Sequence, residues 1–536
     1  MGRKCLFLAG VLTIVTNSIL SQPTETVLGS WSSEATGTLI ERTAILPEGA
    51  DAGAVQETVI YLQNLSSPRV GTEPDVDIIN SFLADGMLVI TMDYGEHAQA
   101  RVPFLNRDLF NIRDQILNDQ TDGVATRFPV GYEMDAAHIF IVPGGCRLLR
   151  DLIYYDNSGT LYGMDVIYPS NPVIPVGSLV QFSADNVNRM GNFSMAFTHD
   201  SILSGQASEG FAVAMADHPV QGGYSGIDPV PQSAWIVRAA VRAMRGQSAS
   251  LGLNGRVATM GFSRGSGVAL MAVTTELVDE WYLYLSPTTV IPIAEASVNK
   301  GTYPSESASV QGAVIMSGRF TYIDLLEDDP NLGTYTDAWG SIESNYDRWE
   351  YHGAIDFLTA DPGYPLFLTI NNDDKHAHHQ MDVLKTRLDG FGAEYLFFED
   401  TEEPLAHRMP LVHSVLNEMN RYLRSVLMDP SPDTAIDTMA FIGQNIGGGT
   451  IRFTSVGLVP PVDYGLQSSS TLSGWSVDGT VRPRADGYLE FDLDTSGGSP
   501  VFYQIASPAD PPPAPAPSIL SQPGKGSYNR SKRSVR

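Results

Sequence analysis

From about residue 136 to residue 428 the chain alternates short apolar runs with longer amphipathic stretches. Short apolar runs bounded by Gly, Pro, Asp or Asn predict buried strands, and the stretches between them predict helices lying on a sheet. Strands are predicted at Tyr162–Ile167, Ser178–Phe182, Phe211–Ala216, Arg256–Phe262, Gly312–Met316, Pro365–Ile370 and Glu394–Phe398. Strands that alternate with helices predict an α/β fold: a mostly parallel sheet with helices on both faces. A closing helix is predicted from about Pro410 to Leu427, with Leu411, Val415, Leu416, Met419, Leu423, Val426 and Leu427 on one face.

The flanks read differently. Residues 24–135 carry strand-like runs at Glu57–Leu62 and Leu88–Met92, with Ile78, Ile79, Phe82 and Leu83 forming a helical stripe between them. This stretch either extends the sheet or forms a small satellite domain. After a linker at Asp429-Pro430-Ser431-Pro432, residues 439–506 show short alternating strands and glycine turns, which predict a small all-β module. From Ser507 onward the chain is proline-rich with a basic end, the composition of a disordered tail.

Composition narrows the class. At 536 residues the chain needs more than one core, and 43% apolar against 18% charged residues describes a globular protein. Residues 1–23 read as a secretory signal: Arg3 and Lys4 precede an apolar stretch, Leu6–Val15, too short to span a bilayer. The expected location is therefore secreted or periplasmic. Of two cysteines, Cys5 lies in that signal, leaving Cys146 without a disulfide partner. A net charge of −28 opposes binding to nucleic acid or anionic lipid.

The candidate chemistry begins at Gly261-Phe262-Ser263-Arg264-Gly265. An apolar strand precedes this segment and a small-residue helix, Ser266–Leu277, follows it. A serine on such a strand-to-helix turn is held out at the edge of the sheet, where a base can reach it. That base needs a carboxylate to fix its tautomer, and in a parallel sheet both must follow strands at the same edge. Asn371-Asn372-Asp373-Asp374 follows one late strand, and a loop ending Leu405-Ala406-His407-Arg408 follows the next. The order is Ser263, Asp374, His407, with Asp373 as the understudy acid. The backbone N–H of Arg264 is the first expected oxyanion donor. A backbone N–H near Ala184 is the second; no glycine run follows Phe182, and Asp185 opposes charge there unless it is paired. Losing one such donor costs about 3–4 kcal/mol of transition-state stabilisation.

Residues 136–428 resemble the α/β-hydrolase family, in particular its secreted esterase and dienelactone-hydrolase-like branches. The nucleophile elbow matches Gly261–Gly265, the acid-bearing turn matches Asn371–Asp374, and the histidine matches His407. The resemblance implies a serine carboxylic-ester hydrolase that works without a cofactor on an extracellular ester, such as one on a polysaccharide. A prolyl-oligopeptidase-like peptidase uses the same triad, but no propeller repeats precede the sheet. A non-catalytic binding protein on this scaffold is the third reading, with Trp475 and Tyr488 of the β module as contacts.

Other features take structural roles. His376, His378 and His379 lack the spacing of a helical zinc motif and are read as a polar rim, so no metal site is assigned. His413 is read as a helix-surface residue, His218 as a loop residue, and Pro143-Gly144-Gly145-Cys146 as a loop entering the large domain. Trp339, Tyr346, Trp349 and Tyr351, with Phe320 and Tyr322 ahead of them, either cap the pocket or pack an insertion.

Overall fold

The structure, a computed structural model, describes residues 24–32, 39–48, 55–63, 73–93, 133–172, 175–182, 206–207, 210–218, 230–276, 278–286, 289–371, 375–400, 413–428, 440–447, 450–456, 464–469, 476–481, 489–494 and 502–506. The signal-like stretch, the linker at Asp429–Pro432 and the tail from Ser507 lie outside these residues. Among the described residues no helix is long and apolar enough to cross a membrane.

A first sheet contains β1 (Thr24–Ser32), β2 (Leu39–Leu46), β3 (Val55–Gln63), β4 (Leu88–Asp93) and β5 (Glu133–Pro143), in the order β1-β2-β4-β3-β5. Helix α1 (Asp75–Ala84) carries the chain from β3 to the parallel strand β4. Asp75 and Asp77 in its first turn complement the helix dipole, and Gly86, at φ +79°, follows its end. Its Ile78, Ile79 and Phe82 are buried, as the stripe predicted.

β5 turns through Gly144-Gly145 straight into β6 (Cys146–Asn157), so the chain passes from the first sheet to the second at that turn. There follow β7 (Thr160–Pro169), β8 (Ser178–Phe182), β9 (Ala212–Ala216), helix α2 (Gln232–Gln247), β10 (Val257–Phe262) and helix α3 (Arg264–Thr274). A separate hairpin, β11 (Glu280–Ser286) and β12 (Thr289–Ala294), precedes β13 (Gly312–Met316). Helices α4 (Leu332–Trp339) and α5 (Tyr346–Tyr351) lie in the insertion before β14 (Leu366–Asn371). Helix α6 (Lys375–Phe391), β15 (Tyr395–Asp400) and helix α7 (His413–Leu427) complete this part.

The second sheet has eight strands in the order β15-β14-β13-β10-β8-β9-β7-β6. Pairings from β15 to β9 are parallel, and the edge strands β7 and β6 are antiparallel. This large mixed sheet with its helices is compatible with an α/β-hydrolase. Alternate residues of the strands enter opposite cores. Ala313, Ile315, Leu366 and Leu368 pack with Ile236 of α2, Val268 of α3 and Met381 of α6. Val314, Met316 and Phe367 face the other way and pack with Met419 and Leu423 of α7. That second core also contains Val59, Phe82, Val89 and Phe140, so the first sheet and α1 share its apolar interior.

The C-terminal strands are β16 (Ala440–Gly447), β17 (Thr450–Val456), β18 (Tyr464–Ser469), β19 (Ser476–Val481), β20 (Leu489–Asp494) and β21 (Phe502–Ala506). They form two antiparallel three-stranded sheets, β16-β17-β20 and β19-β18-β21.

Candidate active site

β10 lies inside the eight-stranded sheet, between β13 and β8. It ends at Phe262 and α3 begins at Arg264, so Ser263 alone makes the turn. Its backbone sits at φ 54° and ψ −121°. A non-glycine residue held at positive φ costs on the order of 1–3 kcal/mol and persists only where its surroundings impose it. The imposing contact is the approach of strand to helix. A Cβ built on Gly261 would lie 2.0 Å from the carbonyl oxygen of Gly265 and 2.6 Å from the nitrogen of Ser266. Only glycine fits at position 261.

The turn is held on both sides. The N–H of Ser263 donates to the carbonyl of Met316 at 2.9 Å, extending the pairing of β10 with β13 by one residue. The carbonyl of Ser263 accepts the N–H of Ser266 at 3.1 Å and the Ser266 hydroxyl at 2.6 Å. Ser317, next along from Met316, also has positive φ, at 45°, and is buried, with no hydrogen-bond partner for its Oγ among the described residues. A Cβ on Gly318 would meet Ser266 Oγ at 1.7 Å. Sequence reasoning stopped at the end of β13 and missed Ser266, Ser317 and Gly318; the signal was a pair of small residues following the strand beside the elbow.

The expected partners follow strands that end along one edge. Gly261 is level with Phe182, Phe262 with Met316, Met316 with Thr369, and Asn371 with Asp400. In the sequence Ala184, Asp374 and His407 come after β8, β14 and β15. Ala184, Asp373, Asp374 and His407 themselves lie outside the described residues. Arg264 is the first residue of α3, so its N–H is one of the donors that a helix start leaves outside its own ladder. The positive end of the α3 dipole meets Ser263.

The remaining candidates take other places. His376 and His379 lie in the first turns of α6. His379 Nε2 is 3.1 Å from Asp324 Oδ1. His376 Nδ1 is 3.9 Å from Asp329, which pairs with Arg319 at 2.7 Å. His218 is fully buried, with its ring edge-on to Phe182 at 5.8 Å. Cys146 is buried as well; burial first, and the Asp75 carboxylate second, push its thiol far above the usual range. An un-ionised thiol in an apolar core is no nucleophile.

The aromatic insertion builds its own small core. Tyr335, Trp339 and Trp349 are buried together, Trp339 stacks on His352 at 4.1 Å, and Tyr322 meets Trp339 edge-on at 5.1 Å. Phe320 belongs to the main core, while Tyr346 is exposed. A cavity of about 690 Å³ lies between this insertion and α6, lined by Thr321, Asp324, Asp356, His379 and Arg387 among others; Ser263 is not in its wall.

No family model matches the chain, and no curated protein matches it either. Solved structures similar to it include a truncated carbohydrate esterase from gut microbiota, 18% identical, covering 47% of this chain and 87% of that one, with a TM-score of 0.37. The apo form of esterase 2 from Thermogutta terrifontis is 12% identical, covers 54% and 97%, and scores 0.36. An inhibited esterase B from Lactobacillus rhamnosis is 12% identical, covers 60% and 96%, and scores 0.39.

Proposed function

We propose that this chain is an exported serine hydrolase that cleaves carboxylic esters through an acyl-enzyme. The observation that carries the reading is the strained Ser263, set between a strand inside the parallel run and the helix that follows it. Strain of this kind concentrates at working residues, and the strand–turn–helix context is the one a nucleophile elbow requires. In this reading Asp374, after β14 in the sequence, supplies the acid, and His407, after β15, supplies the base.

In this reading His407 takes the proton from the Ser263 hydroxyl as its oxygen attacks the ester carbonyl carbon. Asp374 orients His407 and stabilises the imidazolium. The N–H groups of Arg264 and Ala184 receive the oxyanion. The tetrahedral intermediate collapses, the alcohol leaves with the proton from His407, and water then releases the acid by the same steps in reverse roles. Export rests on the signal-like start of the chain. A polysaccharide ester as substrate rests on the resemblance to secreted esterases.

The test is a fluorophosphonate probe with Ser263→Ala as control. The wild-type chain is expected to be labelled at Ser263 and to hydrolyse nitrophenyl acetate, and the variant to lose both. Undiminished turnover by Ser263→Ala overturns the reading.

A further inference from the structure

The peptide joining Ser263 to Arg264 is one planar unit, so the direction of its carbonyl sets the direction of its N–H. That carbonyl accepts two donors from a single residue, the backbone N–H of Ser266 at 3.1 Å and the Ser266 hydroxyl at 2.6 Å. Ser266 is fully buried, so water does not compete for either bond. Its hydroxyl takes up room that a side chain at 318 would need: a Cβ on Gly318 would lie 1.7 Å from it. A Ser hydroxyl bonded to the carbonyl three residues back recurs in this chain, as at Ser81 and Ser425, but only at Ser266 is the accepting carbonyl that of the elbow serine.

We infer that Ser266 is a positioning residue for the oxyanion donor: by pinning the Ser263 carbonyl it aims the Arg264 N–H, and by drawing charge toward that carbonyl it makes the N–H a better donor. Hydrogen bonds in a chain polarise one another in this way, in the direction that favours an anion at the far end. The inference rests on the serine-hydrolase reading, and within it gives the hydroxyl a role that neither the triad nor the elbow glycines supply. Gly318 belongs to the same device, because any side chain there displaces the hydroxyl.

The test is Ser266→Ala. Losing one neutral hydrogen bond aimed at the donor predicts a fall in kcat of about five- to tenfold with KM within about twofold. Affinity for a phenylboronic acid, which forms a tetrahedral adduct on the serine, is expected to fall by the same factor. A structural role alone would lower the melting temperature and leave both ratios unmoved. Turnover within twofold of wild type, or a loss of kcat with no loss of boronate affinity, overturns the inference. Ser263→Ala, assayed in parallel, separates the two failures: if that variant is dead while Ser266→Ala behaves as wild type, only the role of Ser266 is lost.

Discussion

Ser263 and Met316 are joined by a hydrogen bond of 2.9 Å from the serine N–H to the methionine carbonyl. The residue that turns out of one strand is thus fixed by the last residue of its neighbour. The position of Ser263 therefore depends on β13 as much as on its own strand and helix.

Gly261→Ala is the sharpest test of the turn. Its added Cβ meets backbone atoms at 2.0 and 2.2 Å, and backbone, unlike a flexible side chain, has nowhere to move. Displacing the serine by about 1 Å is enough to lower turnover about 100-fold. Nitrophenyl ester turnover within tenfold of wild type, in a chain of unchanged melting temperature, would show the strand and helix can part.

Cys146 should be inert in the folded protein. Burial raises its thiol well above the usual range, and its Sγ lies 3.7 Å from the Ala207 carbonyl. Iodoacetamide at pH 8 is expected to leave it unmodified until denaturant is added, and Cys146→Ala to keep turnover within about twofold of wild type. Rapid native labelling would contradict the burial.

Asp356 should give stability a pH dependence. Its burial in the wall of the cavity pushes the carboxyl from 3.8 up to about 7, and Glu350 adds repulsion against the opposing pulls of Thr321 and Arg387. Between those limits the folded chain holds a proton that the unfolded chain has released. Stability therefore falls as pH rises through this window and levels off above it. Asp356→Asn is expected to remove that slope, so the variant gains on wild type from about pH 4 to about pH 7. Parallel urea midpoints for the two proteins across this range would contradict the shift.

Trp339 holds the insertion together. It is buried against Tyr335, Trp349 and His352, with ring centroids 5.1, 5.3 and 4.1 Å away. Trp339→Ala is expected to cost about 3–5 kcal/mol, read from urea unfolding. A cost below about 1 kcal/mol would mean the aromatic rings do not form a cohesive core.

Much of the sheet was legible because its strands are buried on both faces and read as apolar runs. Ser178–Phe182 and Gly312–Met316 came out at their observed bounds, and the other predicted strands lie within two residues. The helix after the elbow, read as Ser266–Leu277, starts at Arg264, since Ser263 needs no further residue to complete its turn. Periodicity was silent on strands that mix polar and apolar residues. β6 and β7 form an antiparallel pair of which only the interior of β7 was predicted, and the apolar run Ile139–Val142 of β5 was missed although it is buried. The hairpin of β11 and β12 was not predicted either, although both strands are largely apolar; β12 is mostly exposed. The elbow was legible because close backbone approach demands glycine at a fixed spacing. Its support from Ser266 and Gly318 was not, because two segments some fifty residues apart meet only once β10 and β13 are paired.

The unbroken passage from Pro143 through two glycines to Cys146, with Phe140 and Phe82 in the same interior as Met316 and Leu423, bears on whether the chain can be shortened. An accessory domain can be gained, lost or exchanged between genes because its removal exposes little that is oily. Here, removing the amino-terminal sheet would bare part of the apolar interior it shares with the larger sheet. This sheet and the larger one are therefore tied together by one apolar interior, and a shortened version starting at Cys146 would need a new coat for that face before it stayed in solution.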